Sequence, residues 1–126
     1  MKLEELIVYK LSMEMAEEIW QIVIKWDHFS KETIGKQLVR AMDSIAANLS
    51  EGFGRYHFKE NINFCYYSRG SLYETKTWLI KAHNRKLLPD ESYGLFIVNI
   101  ENIGVKLNNY IRSIGKTSAA KPNDHQ

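Results

Sequence analysis

The chain has 126 residues, 44% hydrophobic and 25% charged, with a net charge of +2. This length buries one core without staples, and the balance of residues excludes both a disordered chain and a polycation. The single cysteine, Cys65, excludes an internal disulfide, the acidic start MKLEELIVYK does not read as a signal peptide, and no run approaches the ~18 apolar residues of a membrane span. A cytoplasmic protein with no membrane partner is expected.

The first element in chain order is one long amphipathic helix over residues 3–26, with Leu3, Ile7, Leu11, Met15, Ile19, Ile22 and Trp26 as its apolar stripe. Asp27 to Lys31 breaks the pattern, and Ser30 or Thr33 is placed to cap the next helix. This second helix runs from Ile34 to Gly52, with Leu38, Ile45 and Leu49 facing inward. It carries the small residues Ser44, Ala46 and Ala47 and ends at Gly52 and Gly54, which offer left-handed C-cap geometry.

A third helix is expected over residues 59–86. Its stripe of Phe64, Ser68, Ser71, Thr75, Trp78 and Ala82 narrows in the middle, which suits close packing against Ser44 to Ala47. Gly70 costs roughly 1 kcal/mol there relative to alanine, which implies a packing reason for keeping it. Pro89-Asp90-Glu91 opens the last helix, with Phe96, Ile100, Ile103, Leu107, Tyr110 and Ile114 as its stripe. Four amphipathic segments joined by short turns specify an all-α, antiparallel up-down-up-down four-helix bundle over residues 1–115, with 116–126 as a disordered tail.

Enzyme chemistry has no sequence support. The histidines His28, His57, His83 and His125 and Cys65 show no ligand spacing, so no metal and no cofactor is expected. No glycine-rich phosphate loop, nucleophile-base pair or carboxylate pair can be assembled, which leaves no catalytic residue to name. Charge, however, is uneven: residues 55–86 hold seven basic and two acidic side chains, whereas residues 1–34 hold four and seven. In an up-down-up-down bundle the turn carrying Arg55, His57 and Lys59 shares an end with Arg112 and Lys116, and these five are the candidate contacts to nucleic acid, with Tyr56 and Phe58 interleaved among them. Glu51 and Arg55, four apart, also pair readily as a surface ion pair.

SIAANLSEGFGR over residues 44–55, followed by Gly70-Ser71-Leu72-Tyr73-Glu74, resembles the 23S rRNA intervening-sequence protein family. The likeness spans about Leu6 to Ile114. Its motif positions here are Ser44, Ala46, Ala47, Asn48, Glu51, Gly52, Gly54 and Arg55 on the second helix, and Gly70, Ser71, Leu72 and Glu74 on the third. The chain departs from it at Tyr66, Tyr67, Lys76 and Trp78. The resemblance implies a short bacterial four-helix bundle without assigned activity. Accessory proteins of diversity-generating retroelements are similar, and that likeness implies a homo-oligomer, a pentamer, that binds RNA or DNA and a nucleic-acid-processing protein. The surplus of Trp20, Tyr66, Tyr67, Tyr73 and Ile80 beyond the apolar stripes supports burial of some of them between subunits. The resulting expectation is a non-catalytic, oligomeric nucleic-acid or ribonucleoprotein binding module. The alternative is a protein-interaction scaffold or accessory subunit that binds no nucleic acid itself.

Overall fold

Leu6 decides how the chain enters the bundle. Its backbone is extended (φ −73°, ψ 115°), so the expected continuous helix is instead a 3-10 turn, Leu3–Glu5, followed by helix α1, Ile7–Val23. The break lets Leu6 bury its side chain while its carbonyl still accepts from the Lys10 N–H at 3.1 Å. It also sets the phase of α1. Val8, Ser12, Met15, Ile19 and Val23 line the core, and Ile7, expected inside, faces solvent. Ser12 tolerates burial because its hydroxyl donates to the Val8 carbonyl at 2.7 Å.

The computed structural model describes the backbone of residues 1–120 and the side chains of residues 1–117. After α1, Asp27 rather than Ser30 or Thr33 caps the next helical run. Its carboxylate accepts from the Ser30 N–H at 3.2 Å and from the Ser30 hydroxyl at 2.6 Å, and these bonds hold its pKa below the ordinary value. A single turn, His28–Ser30, passes through a π turn, Lys31–Gly35, into helix α2, Lys36–Phe53. Gly35 sits where α2 crosses α1: a Cβ there would lie 2.7 Å from Val23 Cγ1.

Helix α3 is Phe58–Asn84 and helix α4 is Asp90–Ala120. Helix α4 thus runs past the expected end at Gly115, and residues 121–126 of the expected tail lie outside the described residues. Each helix packs on its sequence neighbours, and α1 meets α4 to close the square, which is the up-down-up-down order. No strand occurs among the described residues. Leu38, Met42, Ile45, Leu49, Leu79, Ile103 and Leu107 fill the centre. Cys65 joins them, and burial pushes its thiol up to about 11, so it stays protonated as a small core residue.

The helix ends differ from expectation in a specific way. No described glycine has positive φ, and Gly54 remains right-handed at φ −78°. The left-handed residue is Lys86, at φ 62°, just past α3. There Leu87 N–H donates to the Ala82 carbonyl at 2.9 Å and Lys86 N–H to the His83 carbonyl at 3.0 Å, the paired bonds of a Schellman ending. Lysine bears a steric cost in this conformation that glycine escapes. Lys86→Gly is therefore expected to raise stability by about 0.5–1 kcal/mol, measured as a higher denaturation midpoint at unchanged m. A lower midpoint would show that the Lys86 side chain contributes more than its backbone costs.

Candidate nucleic-acid interface

The α2–α3 turn begins where Gly52 lets α3 come close. A Cβ on Gly52 would lie 2.8 Å from both Phe64 Cβ and Asn61 Oδ1. Side chains a turn further on then reach across the end of the bundle. Asn61 Nδ2 donates to the Tyr110 hydroxyl at 3.2 Å, which ties the start of α3 to α4. Burial of that hydroxyl raises its pKa above the usual tyrosine value. A cleft on the other side of Tyr110 is lined by Met1, Leu6, Val8, Lys106 and Ser113, so the start of the chain lies at this end too.

Arg55 is held rather than free. Its guanidinium lies 2.6 Å from Glu51 and 3.6 Å from Glu60, with the Phe64 ring centre 5.0 Å away. Two carboxylates offset its charge, and the exposed pairs contribute little to stability, under about 1 kcal/mol each. His57 forms the N-cap position of α3 without a side-chain cap bond, and its ring stands edge-on to Tyr56 at 5.0 Å. Tyr56 is 80% exposed and Lys59 points to solvent.

Arg112 donates to Asn109 and Lys116 is exposed, one turn further along α4. At about 100° per residue, Arg112 lies some 200° around α4 from Tyr110 and hence from the Asn61 contact. The five candidate residues therefore occupy one end of the bundle in two groups: Arg55, His57 and Lys59 on the turn, Arg112 and Lys116 on another face of α4.

Part of the motif has a structural role within the chain. Ala46, Gly52 and Leu72 are buried, and Asn48 Nδ2 donates to the Ser44 carbonyl at 2.9 Å. Ser71 is half-buried and its carbonyl accepts from Thr75 at 2.8 Å. Ala47, Gly54 and Glu74 are exposed, and Glu51 serves Arg55. Gly70 is a correction: nothing lies within 4 Å of a Cβ built there, so no packing inside this chain requires it.

A family model described as the 23S rRNA-intervening sequence protein matches residues 4–109. This chain belongs to that family. A crystal structure of a protein with unknown function from the S23 ribosomal protein family of Bacteroides thetaiotaomicron VPI-5482 is similar in fold. It is 24% identical, with a TM-score of 0.66 over 85% of this chain and 96% of that one. Among curated proteins, none matches. In this intervening-sequence family member, no described helix is long and apolar enough to cross a membrane, and no group of three His, Cys, Asp or Glu among the described residues could hold a metal ion.

The sequence marks Trp20 as surplus to the core but not the groove that it lines. Along the α1–α2 seam lie two clefts that together form a groove: one is lined by Tyr9, Met13, Glu17, Asp43, Ala46 and Ala47, the other by Trp20, Ile24 and Val39 together with Lys31, Lys36 and Arg40. The sequence signal was the second, outward stripe Met13, Trp20, Ile24, which a search for the core face alone passes over.

Proposed function

We propose that this family member is a non-catalytic, self-associating bundle that contacts nucleic acid or ribonucleoprotein with the end bearing Arg55, His57, Lys59, Arg112 and Lys116. The observation that carries the nucleic-acid contact is the company Tyr56 keeps: an 80% exposed ring on the same end as Lys59, Arg112 and Lys116, cations without a carboxylate partner among the described residues. A bare ring offers a base-stacking surface, and free cations offer phosphate contacts. Lys59, Arg112 and Lys116 carry that role ahead of Arg55, which Glu51 and Glu60 already engage.

The test is a gel-shift titration with structured RNA and with single- and double-stranded DNA at about 50 and 200 mM salt. Binding is expected to weaken at least ten-fold over that range, and the triple reversal Lys59→Glu, Arg112→Glu, Lys116→Glu to abolish the shift. Unchanged retention by the triple variant would reject this end as the site.

A second reading, a protein-interaction scaffold, is favoured by a different observation: large apolar side chains such as Trp20, Tyr73 and Val98 stand exposed on helix exteriors. It predicts partner capture that salt does not weaken. Self-association belongs to both readings, and a pentamer is the number that the resemblance to the retroelement accessory proteins supports.

A further inference from the structure

The exterior of the bundle carries two apolar surfaces on opposite sides. One is the α1–α2 groove. The other is the outward stripe of α3, where Tyr66, Arg69, Tyr73, Lys76 and Ile80 recur at spacings of three and four, the pattern of a helix that packs lengthwise on another. Inside this chain its apolar members cover no core: Tyr66, Tyr73 and Ile80 are exposed, Tyr73 by 66%, while Arg69 donates to Asn108 at 3.2 Å and Lys76 to Glu101 at the edge of α4.

The half of the groove that holds Glu17 and Asp43 complements the stripe in charge and in shape, while the half beside Trp20 is also lined by Lys31, Lys36, Arg40 and Glu32. Glu17 and Asp43 line the same half of the groove, beside the small side chains of Ala46 and Ala47, and no cation is paired with either among the described residues. Burial, together with the like charge of Glu17, raises the pKa of Asp43. The α3 stripe carries the opposite sign, and its bulk is aromatic where the groove floor is alanine. Taken from its C-terminal end, the stripe runs Ile80, Lys76, Tyr73, Arg69, the same four-three-four spacing as Val39, Asp43, Ala46 and Ser50 on α2. Antiparallel packing then sets Ile80 beside Val39, Lys76 beside Asp43 and Tyr73 over Ala46 in a single register. Trp20 and Ile24 line the groove beside Val39, and Met13 and Glu17 line it beside Ala46 and Asp43, so α1 supplies the second wall at matching heights.

We infer that the α3 stripe of one copy docks in the α1–α2 groove of a second copy, antiparallel to its α2, with Lys76 answering Glu17 and Asp43. This inference rests on the self-association reading above and adds to it the two surfaces that meet. Because stripe and groove lie on different faces, the contact is head-to-tail, and each added copy leaves one stripe and one groove open. Assembly therefore continues beyond a dimer until the chain of copies closes. In the single chain Lys76 lies 2.8 Å from Glu101, an exposed pair that docking can exchange at little cost. Gly70, between Tyr66 and Tyr73 on this face, also gains a use there, since a missing side chain lets a neighbouring helix approach.

The experiment measures the mass of the full chain in solution by light scattering at micromolar concentration, with circular dichroism to confirm that every variant is folded. The wild type is expected to be larger than a dimer. Lys76→Glu alone and Asp43→Lys alone are each expected to weaken association at least ten-fold. Mixing the two variants is expected to restore association in alternating order, which leaves one unmatched contact in a ring of five. The Lys76→Glu stripe then meets the Asp43→Lys groove with opposite charges at that contact, and each native stripe meets a native groove. An oligomeric wild type whose mass neither reversal changes would overturn this interface while leaving self-association standing. So would two dissociated variants that stay apart on mixing. A monomeric wild type would overturn self-association itself and leave the groove to a helix of another protein.

Discussion

Gly52→Val is expected to destabilise the bundle by about 3 kcal/mol, seen as a fall in Tm of roughly 10 °C. The cause is the crossing of α2 and α3. A Cβ at this position would lie 2.8 Å from Phe64 Cβ, 2.8 Å from Asn61 Oδ1 and 3.1 Å from the Asn61 carbonyl oxygen. Two of those three atoms, the Asn61 carbonyl oxygen and Phe64 Cβ, belong to the α3 backbone or are fixed directly to it, so no rotamer change clears the space. The helices must part, and parting them strains the Asn61–Tyr110 bond that ties α3 to α4. Gly70→Ala is the control when both variants are compared as unassociated chains, because within the chain its Cβ meets nothing and the helix gains alanine's propensity, about 0.5–1 kcal/mol. A Tm unchanged in Gly52→Val would mean that the crossing yields without cost.

Ser68→Leu is expected to cost a similar amount, about 3 kcal/mol, although it places an apolar side chain in an apolar core. Ser68 is fully buried, and its hydroxyl donates to the Ile45 carbonyl of α2 at 2.8 Å. The α2 backbone thus lies one hydrogen bond away from the serine side chain, and leucine needs space that this contact does not leave. Ser68→Ala separates the two contributions. It preserves the close approach and removes only the hydroxyl, and since the Ile45 carbonyl keeps its helical bond, the loss should be about 1 kcal/mol. Chemical denaturation of both variants checks the ranking. A leucine variant as stable as the alanine variant would show that α2 and α3 have room to separate.

These two positions also show how much of the fold was legible. The narrow middle of the third helix implies a close α2–α3 contact, which Ser68 on Ile45 and Gly52 under Phe64 provide, whereas Ala46 and Ala47, expected in that contact, line the α1–α2 groove instead. Gly52 itself was read for a different reason, as a left-handed cap, because sequence shows that a side chain is missing but not whether backbone geometry or a neighbour requires it. The left-handed position fell instead to Lys86, a residue type that gives no such signal. Of the candidate interface, topology brought Arg55, His57, Lys59, Arg112 and Lys116 to one end, and the Glu51–Arg55 pairing followed from their spacing. The approach of Glu60 to Arg55 and the splitting of the basic residues over two faces did not follow, since both depend on the rotation of each helix about its axis.

The sequence by itself determined the number of helices, their order, the turns between them and most of the inward-facing residues, because apolar period, turn residues and short connections act locally. It also carried the family, through residues 44–55 and 70–74. Only the tertiary structure decided where α1 begins, because burying Leu6 outweighs continuing the helix. It alone placed Glu17 beside Asp43 in one groove and joined Arg69 and Lys76 of the α3 stripe to Asn108 and Glu101 of α4, because those relations join residues distant in the chain. They exist only once the helices are docked at a particular rotation and height.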